Sequence, residues 1–120
     1  MYLTFKSLDS FGNEIKYETE YKRIENGYIF DDLSVENTTT TLYIKDGNIT
    51  IERNGDTLSK FNFIINNKTP GFYKNNAGLE INLDIFTKKI NLLADKLYLE
   101  YDLIVEDDVI SSHKIWILFH

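Results

Sequence analysis

Apolar and polar residues alternate along most of this chain, and turn dipeptides break the alternation at short intervals. The clearest stretch runs from Thr38 to Ile65. There Leu42, Ile44, Ile49, Ile51, Phe61 and Phe63 fall at every second position of three runs, which Asp46-Gly47 and Asn54-Gly55 separate. A period of two sends successive side chains to opposite faces of a strand. Asp-Gly or Asn-Gly between two such runs marks a hairpin. The stretch therefore predicts a three-stranded antiparallel meander. A two-residue turn at Asp46-Gly47 pairs Ile44 with Ile49 and Leu42 with Ile51, which gathers the apolar residues on one face. The same turn at Asn54-Gly55 would set Ile49 and Ile51 on the face opposite Phe61 and Phe63. An odd loop, Arg53-Asn54-Gly55 with Gly55 in the left-handed region, restores the match and predicts a glycine bulge.

The rest of the chain repeats this grammar. Tyr2–Leu8 reads as a strand, Asp9–Asn13 as a turn, and Glu14–Glu25 as a long strand with Ile15, Tyr17, Thr19, Tyr21 and Arg23 on one face. Asn26-Gly27 closes a hairpin into Tyr28–Glu36, which contains Asp31-Asp32. Lys68–Tyr73 holds the sole proline, Pro70, and so predicts an edge or irregular strand. Leu79–Ile85 alternates; Lys88–Leu93 is a shorter strand or a helical turn. Leu97–Glu106 and Val109–His120 form the last hairpin around Asp107-Asp108. About nine or ten short strands, closely spaced turns and no linker predict one all-β domain over residues 1–120, a sandwich or barrel. A closed antiparallel up-and-down barrel is preferred, because pairing the first strand with the last removes both sheet edges.

The residues also carry a family resemblance that spans nearly the whole chain. It rests on Thr40-Thr41-Leu42-Tyr43-Ile44 followed by Ile49-Thr50-Ile51-Glu52-Arg53-Asn54-Gly55, on Gly71 to Gly78, on Tyr101-Asp102-Leu103, and on His113-Lys114-Ile115-Trp116-Ile117-Leu118-Phe119. In their order and spacing these pieces resemble the YwiB-like proteins, small bacterial proteins of unknown function. The resemblance implies a calycin-like, lipocalin-type β-barrel of about eight to ten strands that can hold a small apolar molecule. It implies no reaction.

Composition narrows the function classes. Hydrophobic content of 42% and aromatic content of 14% are those of a folded domain. A formal net charge of −6 disfavours non-specific binding to nucleic acid or to an anionic membrane. The absence of cysteine removes disulfides and thiolate sites and fits a cytoplasmic setting. Met1–Ser10 has no signal-peptide core, and no apolar run approaches the roughly 20 residues of a membrane span.

Catalytic and metal motifs are missing. The glycines sit singly in hairpins rather than in a phosphate loop. Asp46, Asn48 and Glu52 lack the spacing of a calcium loop. Adjacent residues of a strand point apart, so Asp31 and Asp32 cannot converge. Ser111, Ser112 and His113 lie together without an orienting acid. The chain is expected to be no enzyme and to use no cofactor or metal.

Two function classes remain: a barrel that binds a small, mainly apolar ligand, and a structural or interaction module with a filled barrel. Large inward residues (Phe61, Phe63, Leu83, Ile85, Leu99, Ile117, Phe119) predict a filled core at one end. Thr38, Thr40 and Ser111 predict a wetter mouth at the other. An odd loop at Glu106-Asp107-Asp108 sets Leu103 opposite Ser111 and Tyr101 opposite His113, where the phenol is a hydrogen-bond partner for the imidazole. Tyr101, His113, Ser111, Thr38 and Thr40 are thus the candidate ligand contacts. Outward Trp116 and Leu118, joined by Tyr98, Ile104 and Ile110, predict a homo-oligomer.

Overall fold

The computed structural model describes residues 1–120, and every regular element in it is a strand. In chain order these are β1 (Tyr2–Asp9), β2 (Glu14–Ile24), β3 (Gly27–Asp31), β4 (Thr38–Lys45), β5 (Asn48–Gly55), β6 (Thr57–Phe63), β7 (Lys68–Asn75), β8 (Glu80–Leu92), β9 (Lys96–Val105) and β10 (Asp108–Phe119). Each pairs antiparallel with its sequence neighbours, and β1 pairs with β10 from Leu3↔Phe119 to Asp9↔His113. The result is a closed, ten-stranded antiparallel barrel with no free edge. No helix is long and apolar enough to cross a membrane.

The first hairpin forms as its pattern requires, with Ile44↔Ile49 and Leu42↔Ile51 in register. In the second, Ile51 pairs with Phe61 and Ile49 with Phe63, on the expected face but not with Thr57 opposite Ile51 as a three-residue loop would set it. Asp46 and Gly47 both take positive φ, 54° and 79°, as a mirror-image two-residue turn demands. The second connection departs from expectation. Asn54 and Gly55 stay in strand β5 and pair with Thr39 and Thr38, and the chain turns only at Asp56. The loop keeps the odd offset that burial demands, but its corner lies further along than the dipeptide indicates. Gly55 is needed there for close approach: a Cβ would lie 1.9 Å from the Asn37 carbonyl oxygen. Gly27 likewise lies in β3 rather than in the turn, and a Cβ on it would lie 2.0 Å from the Leu42 carbonyl oxygen.

Three further strands differ from their expected form. β3 ends at Asp31, and the chain from Asp32 to Asn37 is a loop that returns to β4. β8 is one strand through Leu92, with no helical turn at Lys88–Leu93; its register shifts between Thr87 and Lys89. That bulge moves the inward positions from Ile81, Leu83, Ile85 and Thr87 to Ile90 and Leu92, which is why the alternation looks broken in the sequence. In the last hairpin the turn is two residues, Glu106-Asp107, with φ of 51° and 67°. A bulge between Val109 and Ser111 then supplies the odd offset and restores Leu103↔Ser111 and Tyr101↔His113. Pro70 pairs with Asp84 of β8, while the β6–β7 ladder stops at Lys60↔Phe72. Its missing N–H therefore breaks no bond to β6, and the Thr69 hydroxyl bridges to the Asn62 carbonyl instead.

Inward residues fill the middle of the barrel and one of its ends. Leu3, Leu42, Ile49, Phe63, Ile85, Leu97, Leu99 and Ile117 are fully buried. Each such side chain contributes roughly 1.5–3 kcal/mol by leaving water. Tyr21, Tyr28 and Phe119 pack together at the end that carries the β2–β3 and β4–β5 turns, with ring centroids 4.5–5.5 Å apart. The opposite end carries the β1–β2 turn and the β3–β4 loop, and it is not filled.

Candidate functional site

At that second end the barrel encloses a cavity of about 250 Å³. Its floor and sides are apolar: Phe5, Ile15, Ile51, Phe61, Phe63, Leu103 and Ile115 line it. Two polar clusters interrupt this wall. Alternation on neighbouring strands creates both, because in-register partners share a face.

The first cluster is centred on His113 of β10. Register sets it beside Tyr101 of β9 and Asp9 of β1. The imidazole and phenol rings stack, with centroids 5.1 Å apart and planes at 12°. Stacking turns the Tyr101 hydroxyl away from the imidazole, so the expected hydrogen bond between them does not form. His113 Nε2 bonds instead to the Ser111 hydroxyl, 2.7 Å away and two residues along the same face. Burial holds the His113 pKa below the ordinary histidine range, opposed by the charges of Asp9 and Asp102. The ring is therefore neutral at neutral pH. Burial also pushes the Tyr101 phenol up to about 12, with the Arg53 charge working the other way.

Ser111 and His113 have the contact of a nucleophile and its base, but no acid orients the pair. The nearest carboxylate, Asp9, accepts from the amides of Phe11 and Asn13 and from the Asn13 side chain at 2.9–3.0 Å. Those bonds cap the β1–β2 turn and hold the Asp9 pKa below its ordinary value. Ser111 itself lies outside the cavity wall.

The second cluster is not apparent from the sequence pattern. Asp32 follows β3 and folds inward, where it is only 3% exposed. Arg53 of β5 meets it, with Nε 3.0 Å from Asp32 Oδ2. The Ser34 amide and hydroxyl donate to Asp32 Oδ1 at 2.9 and 2.5 Å, and the Thr40 hydroxyl donates to Oδ2 at 3.3 Å. Removing Arg53 strands the buried Asp32 charge, at a typical cost of about 3–5 kcal/mol. The Tyr17 hydroxyl behind it is buried without a partner, and burial, reinforced by the Asp32 charge, raises its pKa far above the ordinary phenol value. Read as a strand residue, Asp32 has no obvious partner. Its role depends on where β3 stops, and Ser34, Glu36 and Asn37 after it were the one available signal.

Of the residues singled out from the sequence, Tyr101, His113 and Thr40 line the cavity. Ser111 reaches it only through His113. Thr38 is buried elsewhere: its hydroxyl donates to the Glu36 carbonyl at 2.8 Å and accepts from the Thr57 amide at 3.2 Å, fastening the β3–β4 loop to the β5–β6 corner. The polar cavity residues that sequence reasoning missed are Ser7, Asp9, Asn13, Asp32, Arg53, Ser59 and Tyr73.

Comparison with known proteins places the fold in a family. Residues 9–117 match the family described as "Domain of unknown function (DUF1934)". The chain belongs to that family. Among solved structures it matches the crystal structure of ywiB protein from Bacillus subtilis, with a TM-score of 0.66 and 19% identity over 99% of this chain and 90% of that one. The YwiB-like resemblance carried by the sequence therefore holds, and at this identity the structural match speaks to the fold alone. None of the curated proteins matches the chain.

Proposed function

We propose that this DUF1934 barrel, a calycin-like fold in the cytoplasm, binds a small and mainly apolar molecule in the cavity at its open end. The observation that carries this reading is the cavity's composition: an apolar wall broken by two compact polar clusters. Binding pockets typically combine an apolar lining with few oriented polar groups. At about 250 Å³ the space lies just under the roughly 300–1,000 Å³ of drug-sized pockets, so the ligand is small. Tyr101, His113 and Thr40 are its proposed wall contacts, and Ser111 holds the His113 ring in place.

A native mass spectrum of the gently purified full chain tests this. We expect a discrete mass increment, and its loss in Leu103→Trp, which fills the cavity mouth, and in His113→Leu; both variants should still unfold cooperatively. A bare mass for the wild-type protein, together with no saturable binding of an apolar fluorophore, removes the reading.

A second reading keeps the barrel as an interaction module. What favours it is the outer face near the β10 end: Tyr98 and Trp116 pack at 5.3 Å beside Leu118, which is 41% exposed. Self-association through Trp116 and Leu118 is compatible with an occupied cavity.

A further inference from the structure

We infer that the cavity takes the carboxylate of a small apolar acid, and that Arg53 is its anchor. This rests on the ligand-binding reading above and names the chemical class of ligand.

The register lays out the argument. Thr40↔Arg53, Arg53↔Ser59 and Ser59↔Tyr73 are cross-strand partners on β4 to β7, so these four side chains form one row across the inner wall. All four line the cavity. Thr40 and the Arg53 Nε are spent on Asp32. The two η nitrogens of Arg53 and the hydroxyls of Ser59 and Tyr73 make no hydrogen bond within the chain. They are not sealed in either, since the only side-chain polar atoms buried without a partner are the Tyr17 hydroxyl and Thr87 Oγ1. Their residues line the cavity, so these groups are open to a ligand there.

The carboxylates in this end of the barrel already hold donors. Asp32 takes donors from Ser34, Thr40 and Arg53, and Asp9 takes donors from the β1–β2 turn. The hydroxyls of Ser59 and Tyr73 can donate or accept, but the η nitrogens of Arg53 only donate, so the ligand must bring acceptors to Arg53. Asp32 fixes the guanidinium through Nε and leaves its η1–η2 edge forward. That edge is a fork of parallel N–H groups, matched by two coplanar oxygens. A carboxylate supplies two; a hydroxyl or single carbonyl meets only one of the two donors. Charge sets an upper limit. Arg53 is the one cationic side chain of the wall and stands beside Asp32 and Asp9, so each further negative charge on the ligand is disfavoured and a monoanion is taken in preference to a phosphate dianion. The apolar chain of the acid then lies against Ile51, Phe61, Phe63 and Ile115.

Titration calorimetry of the full chain with octanoate, 1-octanol and octyl phosphate tests this. We expect octanoate to bind tighter than octanol by on the order of tenfold, the gain of one charge-assisted contact. Octyl phosphate should bind more weakly than octanoate. The double variant Asp32→Asn with Arg53→Met, which leaves no uncompensated charge, should keep octanol binding and lose the preference. In the wild-type protein, where folding is not in question, octanoate should move the Arg53 side-chain nitrogen resonances and octanol should not. Octanol binding as tightly as octanoate, or a silent Arg53, overturns the carboxylate assignment and leaves the cavity reading intact. Octyl phosphate binding as tightly as octanoate overturns the assignment too. If none of the three binds, the ligand-binding reading falls with it.

Discussion

Gly55 is held at φ +149° with its α-carbon against β4, where a side chain would run into the Asn37 carbonyl. Both conformation and space exclude alanine. We expect Gly55→Ala to cost about 2–4 kcal/mol, combining backbone strain with displacement of a packed strand; urea unfolding reads this, and a midpoint equal to the wild type's would contradict it. His113 sets a pH dependence. Its folded pKa lies below its ordinary value because of burial. As pH falls through about 6.5, the unfolded chain takes up a proton that the folded chain refuses. The associated stability is full above that value and is lost as pH falls towards the folded pKa, with a slope of at most about 1.4 kcal/mol per pH unit. His113→Gln should flatten that part of the profile in denaturation series stepped downward from neutral pH. Superimposable wild-type and variant profiles would assign the slope elsewhere.

At the scale of the element, β10 closes the barrel by pairing with both β1 and β9. It brings Ile115 and Ile117 into the core and Phe119 into the aromatic plug. Three such side chains at roughly 1.5–3 kcal/mol each rival the 5–15 kcal/mol net stability of a small domain. A chain ending before Val109 should therefore show no cooperative thermal transition. The β9–β10 turn offers the opposite change. Glu106 and Asp107 both sit at positive φ, where asparagine and glycine are at ease and glutamate is not. Replacing the pair by Asn-Gly should stabilise the fold by about 1 kcal/mol, seen as a higher melting temperature, with the β10 bulge and its register unchanged.

The whole molecule presents a divided outer surface. Tyr98, Trp116 and Leu118 stand together near one end, and Lys6 lies over the Trp116 ring at 5.1 Å. Ile104 and Ile110 do not join them. Asp102 intervenes, bound to Lys88 at 3.1 Å and to the Ser112 hydroxyl at 2.7 Å. The apolar face available for self-association is therefore smaller than one running the full hairpin. We expect a weak, concentration-dependent dimer in sedimentation at micromolar concentrations, shifted to monomer by Trp116→Ser. A wild-type monomer across that range, indistinguishable from the variant, would remove Trp116 from any interface.

The alternation of Leu42 to Phe63, and of the strands around them, determined the all-β class, the antiparallel order and which residues face inward, because a period of two with one buried face tolerates no slip. It also determined the pairing of Tyr101 with His113, since matching two apolar faces forces an odd offset between β9 and β10. Where that offset is taken up was left to the tertiary structure. The same parity is met by a longer loop or by a two-residue turn with a bulge, and at Ile110 and Lys88 the cross-strand ladder selects the bulge. The cavity was decided in the same way. Asp32 and Arg53 lie 21 positions apart, with a loop and a strand between them. No local pattern links them; the pairing of β4 with both β3 and β5, and the inward fold of the loop after β3, bring the carboxylate to the guanidinium.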